Sequence, residues 1–176
     1  MIFTELPLAG AFVIDLEPRR DDRGFFARAF CVKEFEQHGL ETGIVQANLS
    51  QNERRGTVRG MHYQRAPHAE VKIVRCVSGA VFDAIIDLRP ESPTHLRWTA
   101  VELTRDNRRM LYVPEGFAHG YQALEDDSEV LYLVTHFYSP EHEAAVRWND
   151  PRFGIAWPIP DVILSPKDAA HPDYHP

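Results

Sequence analysis

The sequence of 176 residues has little cysteine, no excess of positive charge and no long apolar run. No apolar segment reaches the roughly 18–20 residues that a membrane-spanning helix needs. No basic stretch followed by an apolar one marks a signal peptide. The formal net charge of -7 argues against general binding to nucleic acid. These absences predict a cytoplasmic protein that binds neither membranes nor nucleic acids.

The two cysteines, Cys31 and Cys76, do not form a metal-binding pair. Cys76 lies in an apolar, strand-like run, and free cysteine is among the most buried residue types. Disulfide bonds are rare in reducing compartments. The sequence therefore predicts two buried free thiols.

Motifs of three common enzyme classes are also missing. The chain has no Gly-x-Ser-x-Gly elbow of a serine hydrolase, no Walker loop and no Gly-x-Gly-x-x-Gly fingerprint. These absences argue against a serine hydrolase, an ATP-dependent enzyme and a nicotinamide-dependent enzyme.

Short β-rich runs alternate with turn residues along the chain, a pattern typical of a sandwich or barrel. Strands are predicted at residues 71–77, 80–88, 97–103, 110–113, 121–124 and 129–138. One amphipathic helix fits residues 32–38 and ends at Gly39. Ser165 and Pro166 have the residue types that cap and open a second helix. The chain is predicted to be one all-β domain, residues 1–176, with antiparallel strands and short flanking helices.

Two histidines lie in segments that contain glycine, His62 in Arg59-Gly60-Met61-His62-Tyr63-Gln64 and His119 in Pro114-x-Gly116-x-x-His119. The second segment is similar to the Pro-x-Gly-x-x-His motif of cupin barrels, and the first lacks the paired His-x-His of a metal-binding cupin. A metal site needs about three or four convergent ligands, so we expect no metal. Histidine can exchange a proton at neutral pH. His62 is therefore either a base or a structural histidine.

Three other side chains each have two interpretations. Lys72 stabilises an oxyanion if it faces inward and is a solvated lysine if it faces outward. Tyr132 and Tyr138 lie six residues apart in one predicted strand and would share a face. They are either core residues or a proton donor and a stacking surface. A pocket for an anionic ligand could use a cluster of cationic residues, for which the candidates are Arg23, Arg28, Arg59, Lys72 and Arg75.

Taken together, these residues make the chain resemble the dTDP-4-dehydrorhamnose 3,5-epimerase family, a set of cupin-like nucleotide-sugar isomerases. The resemblance runs nearly end to end, through Asp22-Arg23-Gly24-Phe25-Phe26, the two histidine segments, Trp148-Asn149-Asp150-Pro151 and Leu164-Ser165-x-Lys167-Asp168. It implies a cupin-like double-stranded β-helix, or jelly roll. It also implies inversion of C3 and C5 in a dTDP-linked 4-keto-6-deoxyhexose. A base removes a proton beside the ketone, an enolate forms, and an acid on the opposite face returns a proton. This chemistry needs no redox cofactor, so the resemblance implies that the protein has no cofactor.

The resemblance also implies roles for individual residues. His62 would be the base, oriented by Asp168 or, as a second candidate, by Asp83. Tyr132 would be the opposite-face donor, and Lys72 would stabilise the enolate oxygen. The residues implied in substrate binding are Arg23, Arg28, Gln46, Asn48, Arg59, His119, Tyr138, Glu143 and Lys167. A homodimer is implied in which the N-terminal segment crosses to the partner, so that Arg23 would serve the neighbouring site.

Three positions depart from the family pattern. Arg28 and Ala47 stand where the family usually carries an acidic residue, and Leu133 stands where it usually carries lysine. If position 28 contacts the nucleotide base, the preference for thymine changes. Leu133 points away from Tyr132 by the two-residue period of a strand, so that change concerns packing. The open alternatives are an epimerase for one carbon only, an epimerase for another nucleotide sugar, a nucleotide-sugar binding protein without catalysis and a metal-dependent cupin dioxygenase.

Overall fold

The structure, a computed structural model, describes residues 1–175, so Pro176 of the predicted domain lies outside the described residues. The described part of the chain is built mainly from strands, with two short helices, α1 (Val32–Gln37) and α2 (Pro166–Ala169). The strands are β1 (Ile2–Glu5), β2 (Phe12–Asp15), β3 (Arg19–Asp21), β4 (Gly24–Phe26), β5 (Gln46–Asn52), β6 (Val58–Gln64), β7 (Lys72–Ser78), β8 (Ala80–Asp87), β9 (Trp98–Thr104), β10 (Met110–Val113), β11 (Phe117–Ala123), β12 (Ser128–Val134) and β13 (Glu143–Ala145).

Eleven of these strands form two antiparallel sheets. One has the order β1-β2-β10-β7-β12-β5, and the other has the order β13-β6-β11-β8-β9. Val74 and Val130 of the first sheet share one buried apolar cluster with Val81 and Ile85 of the second. The sheets therefore pack face to face in a cupin-like jelly roll, which confirms the predicted all-β fold.

Two glycines allow β6 and β11 to approach each other closely. A Cβ atom added at Gly60 would lie 2.5 Å from the Cα atom of Gly120, and Gly60 has a φ of +128°. Any side chain at either position would force these strands apart. The glycines therefore set the spacing of the strands beside His62 and His119, which are Cα partners in this pairing.

The predicted elements agree with the structure in type more often than in extent. The first helix ends at Gln37, one residue earlier than predicted, and the second begins after its capping residue Ser165 as predicted. Strand β12 ends at Val134, so Tyr138 lies outside it and the prediction of one strand for both tyrosines was wrong. Strand β11 begins at Phe117 rather than at residue 121. Strands β1 to β5, which include the β3–β4 hairpin, and strand β13 were not predicted.

The two cysteines are free thiols, as predicted, but they differ in burial. Cys76 is fully buried, whereas Cys31, next to helix α1, is partly exposed, so the prediction of burial was wrong for Cys31. Burial raises the pKa of the Cys76 thiol to about 11. In the part of the chain that the structure describes, no helix has the length and apolar character to cross a membrane.

Candidate active site

A cavity of about 460 Å³ lies between the two sheets. The predicted site residues that line it are His62, Tyr132, Asp168, Lys72, Gln46, Asn48, Arg59, His119, Tyr138 and Glu143. Other lining side chains, which sequence analysis did not assign to a site, are Ser50, Tyr63, Gln64, Glu70, Tyr121 and Val134. Predicted residues from both sheets therefore converge on one cavity.

Strand β5 shows how local structure builds one wall of this cavity. Its residues alternate between partly buried and exposed, so that Gln46, Asn48 and Ser50 face inward. This period of two is readable in the sequence and could have identified Ser50. Ala47, one of the departures from the family pattern, is exposed on the outer face.

His62 on β6 is bonded to the carboxylate of Asp168. The Nε2 atom of His62 lies 2.6 Å from Oδ1 of Asp168, which is buried at the start of α2. Ser165 caps this helix by accepting a bond from the Asp168 backbone N–H, and its hydroxyl donates to Oδ2. Burial alone would raise the pKa of Asp168, but the His62 and Ser165 contacts lower it overall. The carboxylate therefore stays ionised. Because it binds Nε2 of His62, the second ring nitrogen, Nδ1, is available for another contact.

The other candidate for orienting His62, Asp83, is bonded elsewhere. Its Oδ1 lies 2.8 Å from Nε2 of His119, and both residues are buried. Burial raises the pKa of the Asp83 carboxyl, and His119 acts in the opposite direction. The alternative in which Asp83 orients His62 was therefore wrong, and the two histidines that line the cavity pair with different aspartates.

His171 lies beside the His62–Asp168 pair. Its Nε2 atom lies 3.3 Å from Oδ1 of Asp168, and its ring packs edge-on against His62 with centroids 5.6 Å apart. Sequence analysis missed this residue because the segment after α2 is too short to show a periodic pattern.

The residues after His171 are held in place by the loop after β13. The Arg147 backbone N–H donates to the Pro172 carbonyl at 2.9 Å. The Tyr174 backbone N–H donates to Asp150 at 2.6 Å. These contacts fix the chain on both sides of residue 173 and keep His171 beside the active-site pair.

Lys72 faces the cavity, which decides between its two predicted orientations. It is buried at the start of β7 and forms an ion pair with Glu70. Arg59 supplies a second cationic group. Its Nε donates to Asn52 at 2.8 Å, and one Nη donates to the Gln51 carbonyl at 3.0 Å. The other members of the predicted cationic cluster, Arg23, Arg28 and Arg75, do not line the cavity.

Tyr132 enters the cavity from the sheet opposite His62. It lies on β12, with Asn48 and Val74 as its Cα partners on the neighbouring strands. Burial is the main cause that raises the pKa of the Tyr132 phenol, so the phenol keeps its proton at neutral pH. Leu133 packs into a different apolar cluster, on the other face of the sheet, which confirms its predicted orientation.

A cluster of three residues lies at the rim of the cavity. The hydroxyl of Tyr138 donates to Glu143 at 2.9 Å, and the Lys167 ammonium group lies 2.7 Å from both oxygens of the same carboxylate. The Tyr138 backbone N–H donates to Gln46 at 2.9 Å. Tyr138 therefore reaches the cavity from a loop rather than from β12, and the residue is 57% exposed.

A family model described as dTDP-4-dehydrorhamnose 3,5-epimerase matches residues 5–175. The chain belongs to the dTDP-4-dehydrorhamnose 3,5-epimerase family. The curated family member from Sinorhizobium fredii is 42% identical over 173 residues, which cover 98% of this chain and 89% of that protein.

Two solved structures show the same architecture. The dTDP-4-dehydrorhamnose 3,5-epimerase from Bacillus anthracis, with TDP and PPi bound, has a TM-score of 0.95 and 39% identity, and the match covers 98% of this chain and 99% of that one. A 3'-monoepimerase from Streptomyces bikiniensis, in complex with dTDP-quinovose, has a TM-score of 0.88 and 33% identity, and the match covers 96% of this chain and 85% of that one.

Two residues that the family resemblance placed in the site lie away from this cavity. Arg23 is at the tip of the β3–β4 hairpin, where its side chain is 90% exposed and pairs with Asp21 at 2.6 Å. Arg28 follows the hairpin and pairs with Glu34 at 3.1 Å. Phe26 on the same hairpin is 71% exposed. Within one chain, the hairpin therefore makes no contribution to the cavity.

Proposed function

We propose that this protein is an epimerase that inverts C3 and C5 of a dTDP-linked 4-keto-6-deoxyhexose, converting dTDP-4-dehydro-6-deoxyglucose to dTDP-4-dehydrorhamnose. One observation carries the proposal: His62 and Tyr132 enter the same cavity from opposite sheets. A sugar ring bound between them would present one face to a base and the other to a proton donor. Inversion of a carbon centre needs this arrangement.

In the proposed mechanism, Nδ1 of His62 removes a proton from the carbon next to the ketone. The electron pair of the broken C–H bond forms an enolate, and His62 becomes an imidazolium ion. Asp168 stabilises this cation through its contact with Nε2. Tyr132 then donates its phenolic proton to the opposite face of the same carbon. A positioned acid or base of this kind contributes about 10²–10⁴-fold to the rate.

The cationic side chains are proposed to bind the negative charges of the substrate. Lys72, buried in the cavity wall, would stabilise the enolate oxygen. Arg59 and His119 line the same cavity, and Lys167 stands at its rim. Charge-assisted hydrogen bonds from Arg59 and Lys167, together with a hydrogen bond from His119, suit the pyrophosphate or the sugar hydroxyls.

The exposed tyrosine at the rim is proposed to bind the nucleotide base. Tyr138 presents a largely exposed ring that is oriented by Glu143 and Gln46. An aromatic ring that is already held in place can stack on a base at low entropic cost. Asn48 and Gln46 supply further polar contacts on the β5 wall.

We also propose a homodimer in which the β3–β4 hairpin of each chain reaches the cavity of its partner. The hairpin carries two exposed aromatic side chains, Phe25 and Phe26, and an exposed arginine, Arg23. Exposed apolar surface of this kind is typical of an interaction site. Such an exchange would bring Arg23 and Arg28 to the neighbouring substrate. The free thiols support a cytoplasmic location.

A second candidate function is an epimerase that acts at one carbon only. It is favoured by the similarity to the 3'-monoepimerase from Streptomyces bikiniensis. Both functions use the same base and donor chemistry. They differ in whether the sugar presents one or two of its carbons to that pair.

Proton NMR in deuterated water tests the proposal directly. The protein is incubated with dTDP-4-keto-6-deoxyglucose, and the signals of H3 and H5 are followed. Loss of both signals, followed by formation of dTDP-rhamnose when a 4-ketoreductase is added, supports the 3,5-epimerase. Loss of one signal only supports the monoepimerase. No exchange with this or other nucleotide-linked 4-keto sugars would refute catalysis and leave the binding-protein alternative.

A further inference from the structure

The carboxylate of Asp168 lies between two histidine nitrogens. Its Oδ1 is 2.6 Å from Nε2 of His62 and 3.3 Å from Nε2 of His171. Each of the three residues offers a metal-ligating atom, and these atoms all lie within 4.8 Å of one another. The epimerase chemistry proposed above uses His62 and Asp168 and gives no role to His171.

The Nε2 atom of His171 is buried, and its 3.3 Å contact with Asp168 lacks the geometry of a hydrogen bond, so this atom has no hydrogen-bond partner within residues 1–175. Buried polar atoms almost always have a partner, so an unpartnered one beside two ligand-type atoms points to a group that binds there. The residues that follow hold the ring in position through the bonds of Pro172 and Tyr174. Ser165 holds the far oxygen of Asp168, as the outer partners of metal ligands do.

We propose that His62, Asp168 and His171 form a binding site for Zn²⁺, or for a transition-metal ion of similar chemistry, and that the ion inhibits the enzyme when it binds. Two imidazoles and a carboxylate are a ligand set that Zn²⁺ prefers, with ligand distances of about 2.0–2.2 Å. Ligands at such distances lie about 3.3 Å apart in a tetrahedron. The His171–Asp168 separation already suits this geometry, and the His62–Asp168 pair would have to open from 2.6 Å.

Inhibition follows from the identity of the nitrogen that binds the ion, and this step rests on the proposed function. An ion on Nε2 of His62 replaces the proton that this nitrogen donates to Asp168. In a neutral imidazole, that proton then resides on Nδ1, the nitrogen proposed to act as the base. No proton is lost overall, but Nδ1 no longer has a free electron pair. The ion therefore stops proton abstraction without filling the nucleotide end of the cavity.

Another group of histidines could also bind zinc and has to be controlled for. The rings of His136 and His142 lie 4.6 and 4.1 Å from the ring of His68. These residues belong to the loops beside β6 and β12 and do not line the cavity. His142→Ala is therefore the matched control for His171→Phe, which removes the ligand nitrogen and retains a ring beside His62.

The binding test is calorimetric titration of the chelator-treated full chain with ZnCl₂. We expect one zinc ion to bind at this site in the unchanged protein and in His142→Ala. This binding event should be absent in His171→Phe. We also expect dTDP to bind the zinc-loaded protein with nearly unchanged affinity. Equal zinc binding by His171→Phe, or no binding by the unchanged protein, would overturn the site. Loss of dTDP binding on addition of zinc would overturn the proposed mode of inhibition.

The activity test is deuterium exchange at the sugar with and without ZnCl₂. Exchange by the unchanged protein should fall on the order of 100-fold at saturating zinc, the scale of a lost general base. His171→Phe should retain its exchange rate at the same zinc concentration. If the zinc-loaded protein exchanges deuterium as fast as the metal-free protein, the proposed inhibition is overturned. If the metal-free protein exchanges nothing, the proposed function fails, and the titration alone still decides whether the site exists.

Discussion

His62 and His119 are Cα partners on neighbouring strands, yet their rings bond to different carboxylates, Asp168 and Asp83. The first pair is partly open to the cavity, since His62 is one-third exposed. The second pair is buried, and its carboxylate is completely inaccessible. The two pairs should therefore respond differently when the carboxylate is changed.

We expect Asp168→Asn to slow proton exchange about 10²–10⁴-fold with little loss of stability, because the amide no longer supports the charge or orientation of His62. Asp83→Ala should instead destabilise the fold by about 1–3 kcal/mol, since it leaves His119 buried without its partner. Exchange rates and denaturant unfolding of both variants provide the measurement. Equal effects of the two changes on rate and on stability would contradict the separate roles.

Tyr132→Phe should retain dTDP binding but slow inversion about 10²-fold or more, because the phenolic proton is the one to be donated. Exchange with solvent on the His62 side can persist, since His62 can return the proton that it removed. Exchange and inversion are measured in the same NMR sample. A variant that loses dTDP binding and inverts normally at saturating substrate would make Tyr132 a binding residue.

The proposed exchange of the β3–β4 hairpin predicts complementation between two inactive variants. His62→Ala lacks the base but has an intact hairpin, and Arg23→Ala has the base but a defective hairpin. After unfolding and refolding together at equal amounts, mixed dimers should contain one complete site, which restores about a quarter of the activity. Each variant refolded alone is the control. A mixture no more active than the sum of its parts would place Arg23 in its own chain's site or outside any site.

We expect the protein to lose stability in acid because protonation of the buried Asp87 carboxylate weakens the bonds that it accepts. Burial by itself would raise its pKa, but bonds from Arg89, Ser92 and Thr94 lower the pKa to about 2. A lowered folded-state pKa stabilises the protein by roughly 2 kcal/mol above about pH 4, and this stabilisation is lost as the pH falls towards 2. Between about pH 5 and 2.5, the free energy of unfolding should therefore decrease less in Asp87→Asn than in the unchanged protein. An equal decrease in both proteins would exclude Asp87 as the cause.

The two thiols should differ in reactivity because they differ in burial. Burial raises the pKa of Cys76 to about 11, so its thiolate is scarce at neutral pH, whereas Cys31 is partly exposed. Titration with Ellman's reagent should detect one thiol in the native protein and a second only after denaturation. Cys31→Ser should abolish the fast reaction. If the fast reaction survives in that variant, Cys76 is accessible in the native state.

The strands from residue 71 onward were predictable because their side chains alternate with a period of two. Gln46, Asn48 and Ser50 on β5 show the same alternation, although this strand was not predicted. The end of β12 was not predictable from that pattern. After Val134 the chain leaves the sheet because Gln64 bonds to the Phe137 carbonyl and to the Ser139 backbone N–H. Such bonds join residues that are far apart in sequence, so local patterns do not reveal them.

The partners of the histidines were equally hidden from local patterns. Asp168 is 106 residues from His62, and Asp83 is 36 residues from His119. Family resemblance suggested the first pair but left Asp83 as an alternative. His171 was missed because its position depends on bonds made by the residues that follow it. Residue types therefore indicated the chemistry, and tertiary contacts decided which groups meet.

The distance in sequence between His62 and Asp168 also has a consequence for protein synthesis. Both sheets are complete in the chain once β13 has left the ribosome, but α2, which carries the orienting carboxylate, is translated afterwards. A chain interrupted just before α2 would contain both sheets and the core residues Phe153 and Ile159, but His62 would lack its partner Asp168. The contact on which the proposed catalysis depends therefore forms only after α2, near the end of the chain, has been translated.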